Sequence, residues 1–232
     1  MDNVGAAARQ ALYLLISGDA ELWNIIGVSF NVSLVAIAVI APLALVGGFA
    51  LAYTRFRGRR PVISAVHSLQ AIPAVCVGLG VYLLLTRNGP LGDLRLLFTQ
   101  TAMVIGQMVL GFPLLLALAH SALQAADRRA WETARTLGAA PWRAMLTVMH
   151  EVRFALIAAV IAAFARIVAE VGASIMLGGN IQNVTRNIPT AVALETSKGE
   201  YAQGIGLGLV LLVLALTLNF VLSLLQGKGE MR

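Results

Sequence analysis

Long stretches without a charged residue constrain the fold of this chain more than any other feature. Four of them, each at least 26 residues long, cover residues 22–54, 61–86, 96–126 and 201–227. A helix needs about 20 apolar residues to cross a bilayer hydrocarbon core of about 30 Å. Backbone N–H and C=O groups find no water in that core, so each stretch must satisfy them within a helix. The sequence therefore predicts an all-α membrane protein.

A cluster of arginines determines the predicted orientation. The segment Arg55–Arg60 holds four arginines, and the positive-inside bias places it in the cytoplasm. Alternation then gives five spans with the N-terminus outside and the C-terminus in the cytoplasm, at about residues 23–54, 62–86, 99–122, 153–177 and 202–226. The predicted inner segments hold eleven Lys and Arg against four acids, and the outer segments hold five against six. The net charge of +6 therefore reflects topology in the inner (plasma) membrane and does not indicate nucleic-acid binding.

Residues 1–22 carry an apolar stretch that is too short to span a membrane. We expect an interfacial helix on the outer surface that stops at Ser17-Gly18-Asp19, and a sixth, tilted span is the alternative. No internal repeat or linker divides the chain, so residues 1–232 are expected to form a single transmembrane domain. The one cysteine, Cys76, lies in the second span and is expected to be a small buried side chain.

The connection at residues 123–152 is far longer than a chain reversal requires. Asp127 can cap a first helix that Gly138 ends, and Pro141 suits the first turn of a second helix. The first helix would have two different faces. The apolar face would contain Trp131, Ala134 and Leu137 or Gly138, and the charged face would contain Arg128, Glu132 and Arg135. Such a helix either lies on lipid headgroups or enters a groove on a partner protein. Small residues at the corner, Gly138-Ala139-Ala140, favour the partner.

This connection resembles the EAA-type signature of ABC importer permeases, the cytoplasmic loop that docks into the ATP-binding subunit. The signature is matched by Glu132-Thr133-Ala134, followed after three residues by Gly138. Further along, residues 148–151 keep the aliphatic position of the signature but lack its Leu-Pro pair. Residues 165–173, Ala-Arg-Ile-Val-Ala-Glu-Val-Gly-Ala, look like the Arg-x-x-x-Glu-x-Gly-Ala segment of molybdate, sulfate and tungstate permeases. Segments 178–181, 185–186 and 194–200 are most similar to the tungstate type.

The resemblance extends over about residues 10–225 and implies a permease subunit that imports an oxyanion by alternating access, tungstate first and molybdate or sulfate next. The implied partners are a cytoplasmic ATPase subunit and an extracytoplasmic binding protein; a second copy of the chain is expected because C2 closure is the commonest assembly. Coupling to the ATPase would involve Trp131, Glu132, Thr133, Ala134, Leu137, Gly138, Ala139, Ala140, Pro141, Trp142 and Arg143.

The sequence contains no phosphate-binding loop of its own. Its two lysines, Lys198 and Lys228, both lie outside a G-x-x-x-x-G-K-[ST] sequence. The chain is therefore not expected to be an enzyme or to hold a cofactor, and ATP and Mg²⁺ would bind the partner ATPase. Three scattered histidines predict no metal site. A secondary transporter remains an alternative, although it should show intramembrane coupling residues or inverted repeats, and an intramembrane enzyme would need a catalytic pair that is missing.

Arg166 and Glu170 are the sole ionised pair inside a predicted span. Four residues apart on the predicted helix, they are expected to share one face. The pair is either structural or lines the translocation path, where Arg166 could contact an oxyanion. Near the outer end of the same span, Gly172, Gly178 and Gly179 indicate close helix packing or a flexible outer gate.

Overall fold

A computed structural model describes residues 17–199 and 201–230, with residues 201–203, 222, 223 and 225–230 described by their backbone only. This part of the chain contains ten α-helices, a 3₁₀ turn at Gly92–Leu94 and no strand. The helices are α1 (Ala20–Tyr53), α2 (Arg59–Leu69), α3 (Ala74–Leu85), α4 (Gln100–Gln124), α5 (Arg128–Thr136), α6 (Pro141–Glu151), α7 (Arg153–Val168), α8 (Gly172–Gly178), α9 (Ile188–Lys198) and α10 (Tyr201–Glu230). Most of the predicted N-terminal interfacial helix lies outside the described residues. Asp19 caps the start of α1 by accepting from the Leu22 amide at 2.9 Å.

Three helices are long and apolar enough to cross a membrane unbroken: α1, α4 and the Gly204–Val221 part of α10. Two further candidates are bent pairs, in which α2 meets α3 at 98° and α7 meets α8 at 61°. If each bent pair is one span, the described residues supply five spans, which is the number that the charge-free stretches predict. The all-helical membrane fold is thus confirmed.

The second and fourth spans are not the continuous helices that the sequence predicts over 62–86 and 153–177. Between α2 and α3, Pro73 lacks the N–H that a helix needs and disfavours helical geometry at Ile72. Between α7 and α8 the helix stops after Val168 and restarts at Gly172. The prediction was wrong because an apolar composition sets the length of a membrane segment but not the places where its helix breaks.

The described residues form two compact units, and several long helices contribute to both. The first unit contains residues 17–36, 72–110, 164–199 and 201–217, and the second contains residues 37–71, 111–163 and 218–230. The single domain expected over residues 1–232 stays a prediction.

Buried side chains of α1, α3, α4, α8, α9 and α10 build the first unit. Leu22 and Ile25 pack with Ile188 and Leu207, while a separate cluster contains Val81, Leu85, Ala102 and Leu177. Helix α9 was not predicted. It begins with a capping box in which Asn187 and Thr190 satisfy each other's backbone N–H groups, and an Asn followed by a Pro two residues later could have revealed it.

Cys76 is exposed on α3, which contradicts the expected burial. The inward face of the same helix carries Gly78, Val81 and Leu85. Inside a membrane an apolar side chain gains little from turning towards protein, since lipid tails are as apolar as the core. Residue type therefore could not determine which side of the span faces inward.

The second unit is centred on the cytoplasmic ends that the sequence predicts for α1 and α4. Phe49, Ala119, Leu123, Val148 and Leu156 form its buried cluster. Gly47 and Gly48 allow this approach, because a Cβ on either would lie 2.9 Å from an atom of α4. Helices α5 and α6, which make up most of the long connection, pack against each other in this unit.

Candidate functional site

The corner between α5 and α6 is a defined backbone structure. The Asp127 carboxylate accepts from the Arg129 amide at 2.9 Å and caps the start of α5. At the other end, the Gly138 N–H donates to the Arg135 carbonyl at 3.1 Å and the Ala139 N–H donates to the Ala134 carbonyl at 3.0 Å. These two bonds form a Schellman motif, which requires a left-handed residue at its turn. Gly138 supplies it with φ +85°.

A side-chain bond and a proline complete the corner. Arg135 Nη1 donates to the Ala139 carbonyl oxygen at 2.6 Å. Pro141 occupies the first turn of α6, where its missing N–H needs no partner. Along α6, Ala144 and Val148 are fully buried. The two predicted helices and their glycine corner are therefore confirmed as structure.

Trp131 attaches the corner to the end of α1. Its ring centroid lies 5.4 Å from that of Phe49 and 5.5 Å from that of Tyr53, and those two rings are stacked at 4.7 Å. The Arg128 guanidinium lies 5.9 Å from the Tyr53 ring centroid. Trp131 and Ala134, from the predicted apolar face, are half-buried. This face therefore turns partly towards the chain itself, whereas Leu137 and Gly138 are exposed.

A second set of residues forms the outward surface, called here the corner surface: Leu137, Pro141, Trp142, Arg143 and Leu146. Leu137 is 82% exposed, Trp142 57% and Leu146 51%. Trp142 and Leu146 are four residues apart and share a face of α6. The Arg143 guanidinium lies 5.1 Å from the Trp142 ring centroid. Trp and Arg are the residue types that most often dominate protein–protein binding energy.

Sequence reasoning missed Leu146, although its spacing of four from Trp142 could have identified it. Of the other predicted coupling residues, Glu132 and Thr133 are exposed on α5, and Ala139 and Ala140 are half-buried at the corner. The corner surface is thus largely apolar with one cation, and it lies on a hydrogen-bonded turn.

The Arg166–Glu170 pair lies at the break between α7 and α8. Arg166 Nη1 donates to Glu170 Oε2 at 2.7 Å, and Glu170 Oε1 accepts from the Gly172 amide at 2.9 Å. Glu170 follows the end of α7, so the expectation that both residues share a face of one continuous helix was wrong. The Glu170 side chain is 8% exposed, whereas that of Arg166 is 57% exposed. Glu170 therefore holds the break together while Arg166 remains accessible.

Helix α8 fits closely among its neighbours because glycines leave room for them. A Cβ on Gly172 would lie 2.7 Å from Val75 Cγ2, and one on Gly178 would lie 2.7 Å from Met103 Sδ. Gly179 adopts φ +69° against the Phe98 ring. The three glycines of the predicted outer gate are thus sites of close packing.

Several buried polar groups near α7 and α8 were not foreseen. Gln107 Nε2 donates to the Ile167 carbonyl at 3.2 Å, whereas Gln107 Oε1 and Ser174 Oγ have no partner among the described residues.

The rings of His67 and His120, which looked unrelated in sequence, lie 6.3 Å apart. Within the described ranges no group of three or more His, Cys, Asp or Glu could hold a metal ion.

Comparison with known proteins agrees with this architecture. Residues 41–228 match the family described as binding-protein-dependent transport system inner membrane component. The chain is 37% identical over 221 residues to the tungstate uptake system permease protein TupB of Campylobacter jejuni, across 95% of this chain and 92% of that one. It is 37% identical to the protein of the same name from Peptoclostridium acidaminophilum, across 97% and 99%. The molybdenum transport system permease protein ModB of Escherichia coli K12 is 30% identical, across 80% and 85%.

Two solved structures share the fold. The crystal structure of an amino acid ABC transporter with histidines aligns with a TM-score of 0.63 and 17% identity, over 92% of this chain and 96% of that chain. The inward-facing MetNI methionine ABC transporter aligns with a TM-score of 0.59 and 17% identity, over 95% and 94%. At this identity the likeness concerns the fold alone. On the match over residues 41–228 and the 37% identity across almost the whole chain, this multi-pass membrane protein belongs to the permease family of ABC importers, the inner-membrane components of binding-protein-dependent transport systems.

Proposed function

We propose that this permease carries a tetrahedral oxyanion into the cytoplasm, with tungstate as the first candidate and molybdate or sulfate next. The names of its relatives support this substrate class, since two are tungstate and one is a molybdenum permease. A permease of an ABC importer works with an ATPase subunit and a substrate-binding protein. In this proposal two copies of the chain form the transport pathway, and the ATPase subunit binds ATP and Mg²⁺.

The corner surface is the observation that carries the proposal. Its exposed Leu137, Trp142 and Leu146 would enter a groove on the ATPase subunit, and Arg143 would meet polar groups at the rim of that groove. Trp131 couples the corner to α1 through Phe49 and Tyr53. A displacement of the corner would therefore be transmitted to packed helices rather than lost in a flexible loop, as alternating access requires.

Arg166 is the candidate residue of the anion path. An arginine in the centre of a span costs about 2.5–3.5 kcal/mol on insertion scales unless it meets water or a partner. Glu170 satisfies only part of its guanidinium, and 57% of the Arg166 side chain is exposed. We infer that this face borders a wet pathway between the two copies, and that the close-packed Gly172, Gly178 and Gly179 hold the outer gate.

Two leucines of equal exposure offer a matched test of the corner surface. Leu146 is 51% exposed on α6 and Leu212 is 53% exposed on α10. Leu146→Ala should weaken binding of the purified ATPase subunit to the permease in nanodiscs at least about fivefold, because truncating an interface anchor costs more than about 1 kcal/mol. Leu212→Ala should leave that binding unchanged. Equal effects of both variants would contradict docking at the corner.

Transport assays separate the two classes of mechanism. Proteoliposomes that contain permease, ATPase and internal ATP should accumulate tungstate only when the binding protein is present outside. Accumulation by the permease alone, driven by an ion gradient, would instead identify a secondary transporter. Calorimetry on the companion binding protein with tungstate, molybdate and sulfate would rank the substrates, because selectivity is expected to lie mostly in that protein.

A further inference from the structure

Two arginines in the connection between α3 and α4 have no ionic partner among the residues that the structure describes. In the predicted topology this connection is extracytoplasmic, where the positive-inside bias makes arginine uncommon. The other described basic residues on that side are each paired, Arg186 with Glu21 at 3.2 Å and Lys198 with Glu195 at 3.1 Å. Neither Arg87 nor Arg95 forms an ion pair or a side-chain hydrogen bond with any residue that the structure describes. Their charges are therefore available to an external group.

Both arginines line one cavity of about 830 Å³, together with Tyr82, Thr86, Asp93 and Phe98. Sites for drug-sized ligands span about 300–1,000 Å³, and one tetrahedral oxyanion fills only a small part of such a volume. The same connection exposes Leu91, Leu94 and Phe98 by 45%, 58% and 45%. Arginine beside exposed apolar side chains is typical of a protein–protein interface. A polypeptide segment therefore fits this cavity better than a free anion does.

The connection that forms the cavity wall packs closely against the end of α3. A Cβ on Gly89 would lie within 2.3 Å of the Leu83 carbonyl oxygen, and one on Gly92 within 2.5 Å of that of Thr86. Arg95 adopts φ +51°, a left-handed backbone conformation that non-glycine residues rarely adopt without support. A preformed wall of this kind loses little conformational entropy when a partner binds.

Phe98 connects this wall to α8. Its amide donates to the Leu177 carbonyl at 2.8 Å, and its ring occupies the space beside Gly179. An occupant of the cavity would therefore contact the segment that is hydrogen-bonded to the end of α8, the short helix of the broken fourth span.

We propose that this cavity receives an acidic segment of the extracytoplasmic binding protein, whose Asp or Glu carboxylates pair with Arg87 and Arg95. The inference rests on the proposed function, which supplies the orientation and the partner. Asp93 leaves the three charged groups with a net charge of +1, so removing its carboxylate should strengthen the attraction. An acidic occupant should bind more tightly when Asp93 is neutralised and more weakly when Arg87 or Arg95 is neutralised. An apolar occupant should show no such opposite changes in affinity.

The experiment uses the complete permease–ATPase complex in nanodiscs and measures binding of the substrate-loaded binding protein at several salt concentrations. Exposed ion pairs are worth about 0.2–1 kcal/mol each, so Arg87→Gln and Arg95→Gln should each weaken binding about 1.5- to 5-fold and flatten its salt dependence. Asp93→Asn should tighten binding. Arg55→Gln, an exposed arginine on the predicted cytoplasmic side, is the matched control and should change nothing.

Three results would overturn the docking site. These are unchanged binding in the double Arg87→Gln, Arg95→Gln variant, an equal loss in Arg55→Gln, or calorimetric binding of tungstate alone that depends on Arg87 and Arg95. Basal ATPase activity without binding protein should stay normal in all variants, which controls for folding. If the permease fails to assemble with the ATPase at all, it is the proposed function that fails, irrespective of Arg87 and Arg95.

Discussion

Replacing Gly138 by alanine tests whether the left-handed corner matters. Gly138 has φ +85°, and a Cβ built on it meets no atom of the described residues within 4 Å beyond its chain neighbours. The substitution therefore introduces backbone strain but no clash within the permease. An L-residue in the left-handed region costs about 1–2 kcal/mol, which is about 5- to 30-fold in an equilibrium constant. We expect Gly138→Ala to weaken ATPase-subunit binding by up to that factor, because the strain is relieved by losing the Schellman geometry.

Gly199 provides the matched control for this prediction. It ends α9 with φ +80°, and again no atom lies within 4 Å of the position that a Cβ would take. Gly199→Ala should therefore introduce a similar strain at a site that the predicted topology places outside the cell. Binding of the fluorescently labelled ATPase subunit, titrated against each permease in nanodiscs, should fall for Gly138→Ala and remain normal for Gly199→Ala.

Gly138→Asn separates strain from crowding by the partner. Asparagine tolerates the left-handed region better than alanine but is larger. If backbone strain dominates, the Gly138→Asn variant should bind the ATPase subunit more tightly than the Gly138→Ala variant does. If the ATPase backbone approaches Gly138 closely, asparagine should be the weaker variant. Wild-type affinity in Gly138→Ala would refute any role for the corner conformation.

Three further predictions concern the anchor, the break and the exposed thiol. Trp131→Ala should lower the free energy of unfolding in a calorimetric scan by about 2 kcal/mol, which is less than the 3–5 kcal/mol lost with a fully buried aromatic side chain. Trp131→Phe should retain most of the wild-type free energy of unfolding in the same assay. Glu170→Ala should lower the free energy of unfolding in denaturant by about 1–3 kcal/mol, because it leaves the Gly172 amide without its acceptor. Glu170→Gln should lower the same free energy by less. Cys76→Ser should change the free energy of unfolding in denaturant by less than about 0.5 kcal/mol, because this side chain is exposed.

The features that sequence predicted well are those with strong local rules. Charge-free length located the spans, and Asp127, Gly138 and Pro141 marked the ends of α5 and the start of α6 through capping chemistry. These rules depend on neighbours within a few residues along the chain. The corner was therefore predictable without any tertiary information.

The features that sequence missed depend on which neighbours meet in space. Trp131 looked like part of a presented face, but the stacked rings of Phe49 and Tyr53 give it an inward partner from a distant part of the chain. The exposed position of Cys76 and the proximity of the His67 and His120 rings also follow from helix packing. Hydropathy alone could not supply these contacts, because every face of a spanning helix is apolar.

The break at residues 169–171 explains one member of the intramembrane ion pair but not the other. A helix that restarts inside a membrane leaves amide N–H groups without acceptors, and each such group costs several kcal/mol in hydrocarbon. Glu170 provides an acceptor for Gly172, so the break itself accounts for a buried carboxylate. A neutral acceptor such as glutamine could have met that need without a counter-ion. Arg166 balances that carboxylate at 2.7 Å, and in the proposed function its side chain, more than half exposed, also meets the passing anion.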